Sequence, residues 1–184
     1  FSSSEGLLFP AQYSFPEGTT AAQAAQRLVE RFTEDRYAKK LLQGGAQYSP
    51  QQLLTIASII QAEGSTQDFS KVSRVIYNRL KIGMPLQMDS TVHYIMQARG
   101  DIFLSRKSTM LNSPYNTYRR YGLPPGPICS PGADAIKAAL EPVAGDWLYF
   151  ITVAPGDTRF TSSLDEFNTW KAIYTKNRKA GAFK

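Results

Sequence analysis

Glu63 is the side chain best placed for chemistry. It follows Ile56, Ile59 and Ile60 by seven, four and three residues, spacings that put it on the apolar stripe of a helix. A carboxyl at the edge of a core is partly withdrawn from water, and desolvation raises its pKa. The last turn of a helix, where the dipole's negative end disfavours an anion, pushes the same way. Together they predict an acid still protonated near neutral pH, as a general acid must be. The competing reading is an exposed glutamate at a frayed helix end. Asp89, two residues after Gln87, reads as a helix N-cap or as a second carboxylate. His93 is expected to pack. Tyr115, Asn116 and Tyr118 offer ring faces and an amide of the kind that hold sugars, or they anchor their own loop.

Composition limits the alternatives. Among 184 residues, Lys and Arg number 21 and Asp and Glu 15, a net charge of +6. The single histidine rules out a multi-His zinc site, and the single cysteine, Cys129, cannot close an intramolecular disulfide. Cys129 is expected to be a buried thiol. No Walker A or strand-then-GxGxxG phosphate loop is present, so nucleotide chemistry is disfavoured. A pyridoxal-phosphate lyase would need a Schiff-base lysine and a phosphate cradle, and neither is visible. The basic residues Lys171, Lys176, Arg178, Lys179 and Lys184 read as a solvated helix face and tail, not a nucleic-acid footprint. No apolar run reaches the roughly 18 residues of a membrane span. The chain opens on Phe1 rather than Met, so a longer protein is expected around it.

The elements that must position these residues follow from local signals. Residues 1–18 read as an extended segment packing Phe1, Phe9, Tyr13 and Phe15. A helix starts at Thr20, with capping-box spacing to Gln23, buries Leu28, Val29 and Phe32, and its region ends at Gly44-Gly45. The clearest helix has Ser49 as N-cap, Pro50 at its first position, Gln52 completing a capping box and Gly64 as its stop. It is apolar around most of its circumference and so belongs in the core. Further helices are expected from Phe69 to Ile82, from Ser90 to before Gly100, and from Ser130-Pro131 to Leu140. Between Gly100 and Ser130 the prolines predict irregular chain. Trp147–Val153 and Thr158–Thr161 read as a hairpin around Pro155-Gly156-Asp157. Ser163 and Glu166 form a capping box for a last helix to Arg178. The order gives an α+β class, mostly helical with a small late hairpin.

Several segments resemble one family in order and spacing. They are Glu5-Gly6-Leu7-Leu8-Phe9-Pro10, Ala57-Ser58-Ile59-Ile60-Gln61-Ala62-Glu63-Gly64, Asn78-Arg79-Leu80, Leu86-Gln87-Met88-Asp89-Ser90-Thr91-Val92, Tyr115-Asn116-Thr117-Tyr118 and Gly122-Leu123-Pro124-Pro125-Gly126-Pro127. This series is similar to the YceG-like (MltG-type) endolytic peptidoglycan transglycosylases, over nearly the whole chain. The resemblance implies a lysozyme-like catalytic domain spanning 1–184. It implies cleavage between N-acetylmuramic acid and N-acetylglucosamine that leaves 1,6-anhydro ends. It maps the catalytic glutamate onto Glu63 and lines or supports the cleft with Gln87, Asp89, Tyr115 and Asn116; Tyr118 and Asn78 are further substrate-binding candidates. Gln87 or Asn78 is expected to hold the Glu63 carboxyl.

The resemblance further implies a membrane anchor and a small LysM-like subdomain ahead of the catalytic part, neither of them within this chain. The catalytic part would face outward from the cytoplasmic membrane. Peptidoglycan strands are the expected partner, with peptidoglycan synthases as candidates; no cofactor, metal or nucleic acid is expected. Two positions depart from the family pattern. Gln61 stands where the motif has its first glutamate, and Thr158-Arg159-Phe160 replaces a His-x-Phe, so Arg159 is given no catalytic role. The rival functions are a non-catalytic glycan-binding module and a hydrolytic muramidase using Asp89 as its second carboxylate.

Overall fold

Helix α3 (Pro50–Glu63) organises the molecule, and its start is fixed locally. Ser49 Oγ accepts the Gln52 amide at 3.3 Å, the Gln52 side chain accepts the Ser49 amide at 2.9 Å, and Pro50 takes the first position. Every residue from Leu53 to Ile60 is buried, so the helix is enclosed on all sides. Packed around it are α2 (Arg36–Leu42), α4 (Phe69–Lys81), α5 (Asp89–Met96) and α6 (Ala133–Leu140), with α1 (Ala21–Glu34) against α2. Strands β1 (Tyr149–Ala154) and β2 (Asp157–Thr161) pair antiparallel, with Phe150 opposite Phe160, and α7 (Leu164–Lys179) packs on β1. This computed structural model describes residues 4–97 and 104–183. The fold is α+β and mostly helical, the class the sequence predicts. Phe1, Gly100 and Lys184, named above, lie outside the described residues.

Several expected boundaries move, each for a local reason. The region from Thr20 to Gly44 is two helices, because Asp35 is extended and its carboxylate accepts the amides of Tyr37 and Ala38 at 2.9 and 3.0 Å, capping α2. Helix α6 begins at Ala133, not at Ser130-Pro131, with Gly132 as its N-cap. Ser163 caps α7, but the Glu166 carboxylate accepts the Thr161 hydroxyl at 2.5 Å, so the expected capping box is half made. The leading segment buries Phe9 edge-on against Phe32, with ring centroids 6.3 Å apart, and leaves Phe15 43% exposed. Its position depends on Gly6: at φ +84° a Cβ there would lie 2.8 Å from Pro127, so only glycine lets the segment lie on the 122–127 loop. No helix among the described residues is long and apolar enough to cross a membrane.

Candidate active site

Glu63 ends α3 and is half-buried where that helix meets the start of α5. The Ser90 amide, in the first turn of α5, donates to Glu63 Oε1 at 2.9 Å. Burial pushes the Glu63 carboxyl above the ordinary glutamate range. The neighbouring Ser90 hydroxyl and amide oppose that rise, Asp89 adds to it, and His93 on the next turn of α5 lowers it. Burial outweighs the opposing pull of Ser90, so the balance shifts toward the neutral acid.

The chain leading into α5 forms one wall beside this carboxyl. Gln87 there holds φ 49°, unusual for a residue with a Cβ and a mark of a held conformation. Its amide donates to the Thr117 carbonyl at 3.0 Å, and the Met88 amide donates to Thr117 Oγ1 at 2.9 Å. Thr117 is buried, and its hydroxyl also pairs with that of Thr91 at 2.9 Å. The 113–118 loop is therefore stitched to residues 87–91. Asp89 is the first helical residue rather than the cap, a place held by Met88. Its carboxylate accepts the hydroxyl of half-buried Tyr118. Tyr115 packs its ring on Tyr94, with centroids 4.9 Å apart.

Two amides expected at the site, Asn116 against the sugar and Asn78 against Glu63, have other work. Asn116 is fully buried; its Nδ2 donates to the carbonyls of Thr109 and Leu111 at 3.1 and 2.8 Å, and its Oδ1 accepts the Tyr118 amide. It is the loop's internal anchor, with no polar atom left to face a sugar. Asn78 does not hold Glu63 either: its Nδ2 donates to the carbonyls of Gly145 and Trp147 at 3.2 and 2.9 Å. Gln87 is exposed, and the bond that holds Glu63 comes from Ser90 instead.

The structure also supplies groups that the sequence reading passed over. Arg79 is 6% exposed, close enough to Glu63 and Tyr118 to act on them electrostatically. It donates Nε to the Leu148 carbonyl at 2.6 Å and Nη1 to the Leu86 carbonyl, and its guanidinium stands over the Tyr149 ring. It thereby ties the wall before α5 to the hairpin. An arginine interrupting the apolar stripe of α4 was the available signal. Ser58, buried inside α3, accepts the Ile128 amide at 3.1 Å and holds the 122–130 loop against the helix. Gln61 Oε1 accepts the Gly132 amide at 2.9 Å, giving this departure from the family motif a structural use at the start of α6. Arg159 is paired with Asp157 at 2.7 Å. Cys129 is partly buried, its thiol pushed up to about 11 by burial, and donates to the Ser58 carbonyl. Among the described residues no three His, Cys, Asp or Glu side chains gather as a metal site. A concavity of about 530 Å³ lies at the other end of α3, lined by Tyr48, Leu53 and Tyr77, and includes none of Glu63, Ser90 or Tyr118.

Comparison with known proteins places this arrangement among relatives. The model of the YceG-like family matches residues 1–172. A Bacillus subtilis (strain 168) protein named endolytic murein transglycosylase is 39% identical over 181 residues, covering 95% of this chain and 49% of its own length. A protein of the same name from Streptococcus pneumoniae serotype 2 (strain D39) is 33% identical over 168 residues, covering 88% of this chain and 30% of its own. A crystal structure of a yceG-like protein from Listeria monocytogenes superposes with a TM-score of 0.80 at 34% identity, over 90% of this chain and 54% of that one. The chain thus spans about half, or less, of the curated relatives it matches.

Proposed function

The chain belongs to the YceG-like family, and from that premise we propose that it carries the catalytic centre of an endolytic peptidoglycan lytic transglycosylase, with Glu63 as acid and then base. The observation that carries the reading is a half-buried glutamate, biased to its neutral form and held by one backbone amide, beside a wall of exposed Gln87 and Asp89. In this mechanism neutral Glu63 protonates the glycosidic oxygen as the bond to C1 of N-acetylmuramic acid breaks. The substrate's acetamido group stabilises the positive charge, as in the substrate-assisted exceptions to the two-carboxylate rule. The Glu63 carboxylate then takes the proton of the C6 hydroxyl, whose oxygen closes on C1 to give the 1,6-anhydro end. No water is consumed. Tyr115 and Tyr118 lend their rings to the sugar-binding wall, and Asn116 keeps them in place.

Hydrolysis with Asp89 as second carboxylate is less well supported, because the Asp89 carboxylate is engaged by Tyr118. We place the catalytic part on the outer face of the cytoplasmic membrane, held by an anchor ahead of it, on the strength of the family resemblance. Mass spectrometry of peptidoglycan digested by the protein tests the reaction type. Anhydro ends, one water lighter than reducing ends, are expected. Reducing ends would make it a muramidase, and tight binding without cleavage a glycan-binding module.

A further inference from the structure

Ser90 offers Glu63 two groups: the amide is bonded, while the hydroxyl stands close enough to the carboxyl to favour its charged form without completing a hydrogen bond. Its amide donates to Glu63 Oε1 at 2.9 Å. Its hydroxyl belongs to a residue only 8% exposed, and Oγ is buried with no hydrogen-bond partner. A helical serine or threonine commonly returns its hydroxyl to a carbonyl one turn back, as Thr91 does to Met88 at 2.7 Å. Ser90 does not. A buried donor with an unmade bond is costly, so its place beside a carboxyl calls for a cause. The carboxyl is the group whose needs change during the reaction. As a neutral acid it offers a proton; as a carboxylate it accepts on both oxygens.

We propose that the Ser90 hydroxyl is a reserve donor for Glu63, unbonded while the acid is protonated and donating to the carboxylate once the proton has left. This rests on the reading of Glu63 as acid and base. No covalent bond to Ser90 forms or breaks. The Glu63 proton passes to the glycosidic oxygen, Ser90 keeps its own proton, and its hydrogen bond is released when Glu63 recovers a proton from the C6 hydroxyl. A donor that engages only as charge develops lowers the barrier without tightening ground-state binding. The other groups acting on Glu63 are Asp89 and His93 from α5, Arg79 from α4 and Tyr118 from the loop. Arg79 already donates to Leu86 and Leu148, and Tyr118 to Asp89. Ser90 is thus a positioning residue acting through Glu63.

The test is Ser90→Ala, which keeps the amide and removes only the hydroxyl. The Glu63 carboxyl is titrated by NMR in carboxyl-labelled protein, and glycan cleavage is followed against pH. Expected are a Glu63 pKa raised by roughly one unit, a kcat lower by on the order of tenfold with KM little changed, and an alkaline limb of kcat moved upward. Ser90→Thr, which restores a hydroxyl, should recover both. Ser90→Cys, close in volume and a weak donor, should follow Ser90→Ala and stands in for it if alanine disturbs folding. An unmoved Glu63 titration in a folded Ser90→Ala or Ser90→Cys protein overturns the proposal. A shifted titration in a chain that never yields anhydro ends supports the Ser90–Glu63 coupling and removes the transglycosylase reading instead.

Discussion

The Tyr118 hydroxyl donates to the Asp89 carboxylate across 29 residues of sequence, fastening the 113–118 loop to the first turn of α5. Burial, and then the bond to Asp89, push the Tyr118 hydroxyl far above the usual tyrosine range, so it stays a donor at any working pH. Residues from two separate segments are thereby held as one wall beside Glu63.

That bond predicts coupling. In a double-mutant cycle of Tyr118→Phe and Asp89→Asn, the two changes should interact by about 0.5–3 kcal/mol in folding stability. Urea unfolding of the four proteins measures it, and strictly additive effects would show that the pair does not act together.

Glu63 predicts a pH dependence with a definite sign. Its folded pKa is raised, so in the window between the ordinary glutamate value and the raised one the unfolded chain gives up a proton that the folded chain retains. Glu63 therefore costs stability as pH rises through that window. Glu63→Gln should match the wild type at about pH 4 and exceed it at about pH 8. It should also lose glycan cleavage by at least about 10²-fold. Thermal unfolding at the two pH values checks the first statement; an unchanged difference between them would mean that Glu63 is not desolvated.

Asn116 should matter to folding more than to sugar contact. Asn116→Ala leaves the carbonyls of Thr109 and Leu111 without their donor and should cost about 1–3 kcal/mol. The urea midpoint should fall accordingly. A variant with wild-type stability but weakened glycan binding would restore Asn116 to the substrate.

Arg79→Lys should not be a conservative change. One ammonium cannot reproduce the guanidinium fork that reaches both the Leu86 and Leu148 carbonyls, and losing one charge-assisted bond costs about 1.5–3 kcal/mol. Hydrogen exchange reads the effect locally. The Leu148 amide, bonded to Thr161 at 2.9 Å, should exchange faster in the variant. Unchanged protection there would mean that Arg79 does not tie the hairpin to the core.

Much of the scaffold was legible in advance because its signals are local. Ser49, Pro50 and Gln52 mark the start of α3, and the unbroken apolar run from Leu53 to Ile60 declares it buried. Glu63 was legible for the same reason: three isoleucines at helical spacing fix the face it occupies. Asp35 was missed as a cap because the apolar pattern on either side gave no reason to expect a break, though its type suits that position.

The partners of the site were not legible. Ser90 lies 27 residues from Glu63, Thr117 lies 29 from Met88, and Arg79 lies 69 from Leu148. Asn78 and Asn116 are of the right type to meet a sugar, yet each has its amide bound to backbone carbonyls. Residue type and spacing determined the helices and the one carboxyl set at the end of the central one. Tertiary packing decided which polar groups were buried and which distant carbonyl, amide or carboxylate each could reach. Periodicity is a property of neighbours along the chain, whereas a hydrogen bond depends on which segments the core brings within about 3 Å of each other.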